Sequence, residues 1–349
     1  MNNWLIALLT PFRQPAASAA RPVRMQPPTR PVAPAHAGEA RSAPVAAPAS
    51  DLDQGLFVWL LAQPVDPAAA LAAAERQTLA QLDRATSDTS VQSALLPRAA
   101  AVVPRLLAQL RGPDSSLAAL SDQVSRDITL VAEVIRLANS VGYRGRAAVV
   151  ELEHAIRRLG VDGLRCAIGR AVLKPLMDPR SGVLSMRSSR RLWQLTDSKA
   201  QLSAAVARGL GCEPFDGYLL GLAHNAVWSV VLRALDTAES DATAWHFSAS
   251  FVREVSVRRD RLFEVVAQQW QLPQALSEAA AEVSACSLAA AGSSPLVQAL
   301  RSGDHLAGLL CIHDTRRATA EAEPLLAALP PCVRAAWLTL ARSARDIAA

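Results

Sequence analysis

The run Ser125-Arg-Asp-Ile-Thr-Leu-Val-Ala-Glu-Val-Ile-Arg-Leu-Ala-Asn-Ser140 carries the clearest alternation of polar and apolar positions in the chain. Asp127 is a natural N-cap, because its short carboxylate can accept from the unpaired amides of a first helical turn, and neither Gly nor Pro follows until Gly142. Thr129, Glu133, Arg136 and Ser140 recur at helical spacing as one narrow polar stripe. Ile128, Leu130, Val131, Val134, Ile135, Leu137 and Ala138 fill the rest of the circumference, which predicts a helix covered on most sides.

The same periodicity extends in both directions. Leu56, Phe57, Trp59, Leu60 and Leu61 form an apolar cluster, Pro64 and Pro67 interrupt it, and Ala68 to Leu82 resumes, so two helices are expected before a polar connection over Thr86 to Ser93. From Leu96 to Met177 the pattern predicts about five short helices, with a Gly/Arg loop over Gly142 to Ala148. Helices are predicted again over Leu306 to His313, Pro324 to Leu329 and Val333 to Ile347 near the end. The fold class expected is all-α.

Composition supports this reading. Of 349 residues, 51% are hydrophobic and only 4% aromatic, and the abundant Ala and Leu lose little rotamer freedom in a helix. The net charge of +5 could suit an acidic partner, but much of it comes from the N-terminal segment. Between Pro15 and Ser50, Arg21, Arg24, Arg30 and Arg41 face the single acid Glu39 in a Pro/Ala-rich stretch with no burying face, which predicts a linker. Trp4 to Leu9 is too short to span a bilayer, which takes about 20 apolar residues. Residues 4–9 could still touch a membrane surface or a partner. Ala17-Ser-Ala19 resembles a cleavage site, yet no basic residue precedes the apolar run, so a signal peptide is disfavoured.

Several motifs together resemble the first half of an HDOD domain: Leu96-Pro97, Leu106-Leu107, Gly112-Pro-Asp-Ser-Ser-Leu117, Ser125-Arg-Asp127, Arg136-Leu-Ala-Asn-Ser140, Gly142-Tyr143 and Glu153-His-Ala-Ile-Arg-Arg-Leu-Gly160. Ile128 stands where that family usually has Pro. Leu192-Trp193, Ser198, Ala204-Ala205, Gly221-Leu-Ala-His-Asn225, Trp270-Gln-Leu-Pro273, Ala279-Ala280 and Asp304 are similar in order and spacing to the second half. The resemblance covers about residues 96 to 310. It divides the chain into a disordered Pro/Ala/Arg-rich segment with a short apolar start (1–50), a helical extension (51–93), an HDOD-like domain in two packed halves (94–310) and C-terminal helices (311–349).

The HDOD family is related to the HD metal-dependent phosphohydrolases, in which a lone His, a His-Asp dyad and a distant Asp hold a metal that acidifies a bound water. By this resemblance the dyad reads His224-Asn225, the lone His position falls at Leu195, and Asp304 is the distant carboxylate. An amide lacks the carboxylate's charge and Leu ligates nothing. Where relatives often keep a His pair, this chain has Ala281-Glu282. His224 therefore reads as a partly buried side chain in an apolar Gly221-Leu-Ala-His turn rather than a metal ligand, and His154 as structural. No catalytic residue, metal or cofactor is expected. What the resemblance implies instead is a non-catalytic signalling or regulatory module with a signalling protein partner or small ligand. Its possible binding groove lies between the halves, with Asn139, Ser140, Tyr143, Arg144, His224 and Asp304.

Other chemistry finds little footing. Cys166, Cys212, Cys286, Cys311 and Cys332 form no Cys-x-x-Cys pair and read as small apolar residues of a reducing, cytoplasmic compartment. Cys311-x-His313-Asp314 supplies too few donors for zinc and reads as a helix end near the surface. No Gly-x-Ser-x-Gly elbow or Gly-rich phosphate loop occurs, and Cys212 and Cys286 have no His nearby in sequence. Two alternatives remain: an HD-type phosphodiesterase, and a helix-turn-helix DNA-binding regulator built from Leu117, Leu120 and Val124, the turn at Ser125-Arg126 and the helix after Asp127. That helix offers only Thr129, Glu133 and Arg136 beside its apolar surface, fewer polar groups than base-edge reading needs, so nucleic acid is disfavoured.

Overall fold

The computed structural model describes residues 51–96, 103–104, 107, 110, 116–139, 148–177, 182–238, 246–289 and 294–348. The expected linker, the apolar start at residues 4–9, and Ser140, Tyr143 and Arg144 lie outside the described residues.

Among the described residues the fold is all-α apart from one short pair of strands. Helix α1 (Asp51–Leu61) turns Leu56, Phe57, Leu60 and Leu61 inward. Strand β1 (Val65–Asp66) then pairs in parallel with β2 (Phe247–Ser248), Val65 opposite Phe247 and Asp66 opposite Ser248. Helix α2 (Ala73–Ala85) starts later than the expected Ala68. The reason is local: the Asp66 carboxylate accepts the Ala68 amide (2.8 Å), and the Glu75 carboxylate accepts the Ala72 amide (2.7 Å), which fixes the helix start beside Glu75. The expected polar connection from Thr86 to Ser93 instead contains α3 (Thr89–Leu95), because Asp88 caps it by accepting the Ser90 and Val91 amides.

Helices α4 (Leu117–Ser125) and α5 (Ile128–Ala138) are capped by Ser116 and Asp127, the latter accepting the Thr129 and Leu130 amides as its sequence position predicts. The expectation that α5 is covered on most sides is corrected. Only Leu130, Val134, Leu137 and Ala138 are buried, one face of the helical period, while Ile128 in the first turn is 84% exposed. Helix α6 (Leu152–Met177) is interrupted at Gly160, whose φ of 64° is a conformation that costs glycine little and other residues much.

The second half is built from long helices: α7 (Val183–Gly209), α8 (Pro214–Ala238), α9 (Ala249–Gln269), α10 (Gln274–Cys286) and α11 (Pro295–Ile312). Helix α8 is long and apolar enough to cross a membrane, the one such helix among the described residues, but 94% of that stretch is buried inside the protein. It is the central core helix, packed against α7, α9 and α2. Two expected helix starts are corrected. Leu306 to His313 is the second half of α11, whose start is set by the Ser294 side chain accepting the Val297 amide, with Pro295 in the first turn. Pro324 lies inside α12 (Thr315–Ala328), which begins at the Asp314 cap. Helix α13 (Pro331–Ala348) follows.

One apolar cluster joins the flanking helices to the centre: Leu56 of α1, Leu195 and Leu202 of α7, Leu306 of α11, Ala322 of α12 and Trp337 of α13. The extension is also tied in by polar contacts. Buried Glu75 of α2 accepts the Ser248 amide (2.7 Å) and hydroxyl (3.0 Å), and Arg191 of α7 donates to the Trp59 carbonyl (2.7 Å).

A buried charge cluster as candidate functional site

Helix α7 turns Leu192, Leu195, Leu202 and Val206 into the core, and Lys199 falls on that same face. A long cationic side chain therefore enters the interior and is fully buried. Two glycines bring neighbouring helices close enough to meet it. A Cβ on Gly221 of α8 would lie 2.7 Å from the Ala200 Cα, and a Cβ on Gly303 of α11 would lie 2.8 Å from the Ser203 backbone nitrogen, both far inside van der Waals contact. Backbones thus approach where His224 and Asn225, one turn after Gly221, and Asp304, next to Gly303, face Lys199.

The Lys199 ammonium contacts three acceptors from these helices: His224 Nδ1, Asn225 Oδ1 at 3.2 Å and Asp304 Oδ1 at 2.5 Å. Lys Nζ has three N–H donors and no lone pair when charged, so all its donors are used. With Nδ1 accepting, the imidazole proton sits on Nε2, which donates to Asp260 Oδ1 of α9 at 3.0 Å. Asp260 Oδ2 accepts the Leu288 amide at 2.7 Å, so both of its oxygens act as acceptors, as those of a carboxylate do. The Asn225 amide group donates to Thr196 Oγ1 (3.4 Å), which points its carbonyl at Lys199. Arg259 lies 3.5 Å from Asp260 and 3.8 Å from Asp304, with its guanidinium 5.6 Å from the Trp228 ring centroid.

Burial and charge act in opposite senses here. Burial pushes the Lys199 ammonium down to about 8, against the pull of Asp304. Burial alone would raise Asp304, but Lys199 and Arg259 outweigh it and hold the carboxyl well below its ordinary range. Burial raises Asp260, with Arg259 opposing. His224 is kept neutral by burial first and by Lys199 and Arg259 next. At neutral pH the centre of the cluster therefore pairs Lys199 and Arg259 with Asp260 and Asp304, the half-buried Asp53 adding its field at Arg259.

The structure places His224, Leu195, Asp304 and Asn139, all singled out in the sequence. His224 is fully buried and sits in the middle of α8, not partly buried in a turn, because α8 runs unbroken through Gly221. It cannot line a groove. Leu195 is packed in the apolar cluster of α1, α11 and α13, and the gap expected there is met by Lys199 one turn later. Asp304, with a side chain 19% exposed, turns its carboxylate inward to Lys199 and Arg259 rather than toward a ligand. Asn139, at the end of α5, is committed on both sides of its amide: Nδ2 donates to the Val149 carbonyl (2.6 Å) and Oδ1 accepts the Val149 amide (2.7 Å).

Asn139 therefore ties the end of α5 to the backbone of Val149. Asn139→Ala removes both bonds and should lower unfolding free energy by about 1–2 kcal/mol, read from the denaturation midpoint at constant slope. An unchanged midpoint would show that the two bonds contribute nothing to the fold.

Lys199, Arg259 and Asp260 escaped the sequence reading, although the signal was present. Lys199 continues the buried spacing of Leu192, Leu195, Leu202 and Val206, and Arg259 that of Val252, Val255, Phe263 and Val266. A charge on an otherwise apolar stripe marks a buried pair. A second cluster joins the two halves. Arg170 of α6, nearly buried, pairs with Glu133 of α5 (2.5 Å) and Asp197 of α7, and its guanidinium lies 4.9 Å from the Trp193 ring centroid.

The short Cys311-x-His313-Asp314 sequence is spent on helix ends. His313 ends α11 and pairs with Glu321 at 3.0 Å, Asp314 caps α12, and burial pushes the Cys311 thiol up to about 12. His154 is exposed on the first turn of α6, 3.3 Å from Glu151. The cysteines within the described residues are all free.

The sequence signature of the HDOD domain family matches residues 96–286, more than half of the chain. The chain belongs to the HDOD domain family. No curated protein matches the sequence. Among solved structures, the fold is similar to a candidate metal-dependent phosphohydrolase from Shewanella amazonensis SB2B, with 17% identity and a TM-score of 0.55 over 78% of this chain and 100% of the other. A candidate phosphohydrolase from the same organism aligns at 19% identity and a TM-score of 0.50 over 75% and 94% of the two chains. An HDOD domain protein of unknown function from Geobacter sulfurreducens aligns at 20% identity and a TM-score of 0.45 over 66% and 77%.

The sequence resemblance to HD hydrolases raises the question of whether this HDOD cluster fits a metal. It does not. The acceptors that could ligate, His224 Nδ1, Asn225 Oδ1 and Asp304 Oδ1, converge on an ammonium, and a divalent ion among them would face Lys199 and Arg259 at contact distance. Among the described residues no group of three or more His, Cys, Asp and Glu side chains is placed to hold a metal ion.

Proposed function

We propose that this HDOD protein is a non-catalytic signalling or regulatory module that works by binding a protein partner or small ligand. The observation that carries the reading is the Lys199 ammonium, fully buried and hydrogen-bonded to His224, Asn225 and Asp304 where HD hydrolases need ligands open to a metal and its water. A hydroxide nucleophile at neutral pH needs a cation that binds water. An ammonium with every donor engaged binds none.

The rival reading, a metal-dependent phosphohydrolase, draws on the names given to the two Shewanella proteins of similar fold and on the presence of His224 and Asp304. DNA binding through α5 is weaker, since both Arg136 and Arg170 engage Glu133 and leave that helix few free polar groups for base edges. The scattered free cysteines suit a cytoplasmic setting. Turnover assays on a phosphomonoester, a phosphodiester and a cyclic dinucleotide, with added manganese, iron or magnesium, test the reading. No turnover is expected. Turnover that His224→Ala abolishes would place the protein among the hydrolases.

A further inference from the structure

We propose that Lys199 is a tethered cation that takes the place of a metal ion, locking α7, α8, α9 and α11 together around one charge-balanced centre. The inference deepens the non-catalytic reading of the same cluster and rests on it. Each member of the cluster fits an ammonium better than a metal. Lys199 brings three donors and meets three acceptors, one each from His224, Asn225 and Asp304, so its hydrogen-bonding capacity is matched without remainder.

Charge gives the same answer. Lys199 and Arg259 oppose Asp260 and Asp304, the first three buried and Asp304 half-buried, and His224 is neutral. An Asp at position 225 would add a third buried carboxylate beside a single ammonium. It would also lose the amide group that Asn225 uses to bind Thr196. Asn225 is thus the partner that a singly charged cation requires, and its difference from the family's His-Asp dyad follows from Lys199. The imidazole completes the lock by accepting from Lys199 on one nitrogen and donating to Asp260 on the other, which links α7 through α8 to α9.

A double-mutant cycle on the full chain tests this. Lys199→Met keeps the stem and removes the charge, leaving Asp304 buried beside Arg259 alone, and should lower the folding equilibrium constant by about 100-fold or more. Asp304→Asn should lower it comparably. The double variant removes both charges and is expected to recover a large part of the loss, so the two effects should fall short of adding by about tenfold or more. If Lys199→Met does not fold, a double variant that does fold demonstrates the same coupling.

A second readout separates the cation from mere packing. Ring-nitrogen NMR of wild type should show His224 neutral with its proton on Nε2 across pH 5 to 8. In Lys199→Met, or in the double variant, its pKa should rise, because one of the two cations suppressing it is gone. Additive effects, a double variant no more stable than the worse single, or an unmoved His224 would each overturn the tethered cation. None of these results would bear on whether the wild type turns over a phosphoester, and turnover in the wild type would leave the measured coupling standing, so the two readings fail separately.

Discussion

Replacing Arg170 with Met is expected to destabilise the protein by about 3 kcal/mol, the low end of the range for breaking a buried pair, because its partners retain some contact with water. Arg170 has a side chain only 7% exposed and reaches Glu133 on α5 and Asp197 on α7, whose side chains are 18% and 22% exposed. Without the guanidinium, both carboxylates stay in a low-dielectric setting. Glu133 keeps Arg136, whereas Asp197 loses its partner across the helix boundary. The ring of Trp193 also loses the cation over its face.

The pH dependence follows from the sign of the Glu133 shift. Burial would raise this carboxyl, but the hydrogen bond to Arg136 and the charge of Arg170 outweigh it, so its pKa lies below 4.5 in the folded state. Its contribution is complete above the ordinary glutamate range and is lost as pH falls through the lowered value. Urea denaturation of Arg170→Met should therefore show its largest deficit near neutral pH and a smaller one in acid. A deficit of the same size at every pH would mean that Arg170 acts by packing alone.

Gly221→Val should be more damaging still for the site, with a loss of about 3 kcal/mol or more from overpacking that no rotamer change relieves. The atoms in the way are backbone: the Ala200 Cα at 2.7 Å and the Ala200 nitrogen at 3.0 Å from the position of a new Cβ. Helices α7 and α8 must separate, and His224 and Asn225 are drawn away from Lys199. Circular dichroism against denaturant reads the stability, and His224 ring NMR reads the separation as a rise in its pKa. Stability within about 0.5 kcal/mol of wild type would show that the helices yield where their close approach suggests they cannot.

How much of this was legible in the sequence depends on the physics involved. Helix caps were readable because they are local: Asp127 caps α5 where its position predicts. Asn139 at a helix end does satisfy the following chain, as its position implies, though its partner Val149 lies ten residues on. Helix starts failed where the deciding contact was a side chain not weighed as a cap, as with Glu75 at α2, Asp88 at α3 and Asp314 at α12.

The site was half legible. His224, Asn225 and Asp304 were found through the family pattern, and the structure does bring them together. Their meaning was not accessible, because Lys199, Arg259 and Asp260 are not among the positions that the family pattern marks, although Lys199 directly follows Ser198. Only tertiary packing shows that a lysine on the apolar stripe of α7 meets an aspartate 105 residues later. Counting ligands along the sequence put a residue that ligates nothing, Leu195, at the lone-His position. Packing places Leu195 among apolar neighbours and puts a cation beside the acceptors instead.

The most direct test of the account is the metal content of the protein purified without chelator and of the same protein titrated with manganese, iron, magnesium or zinc. A centre already occupied by the Lys199 ammonium should carry well under one equivalent of any divalent ion and show no thermal shift when ions are added. One equivalent of tightly held metal, lost together in His224→Ala and Asp304→Asn, would contradict it.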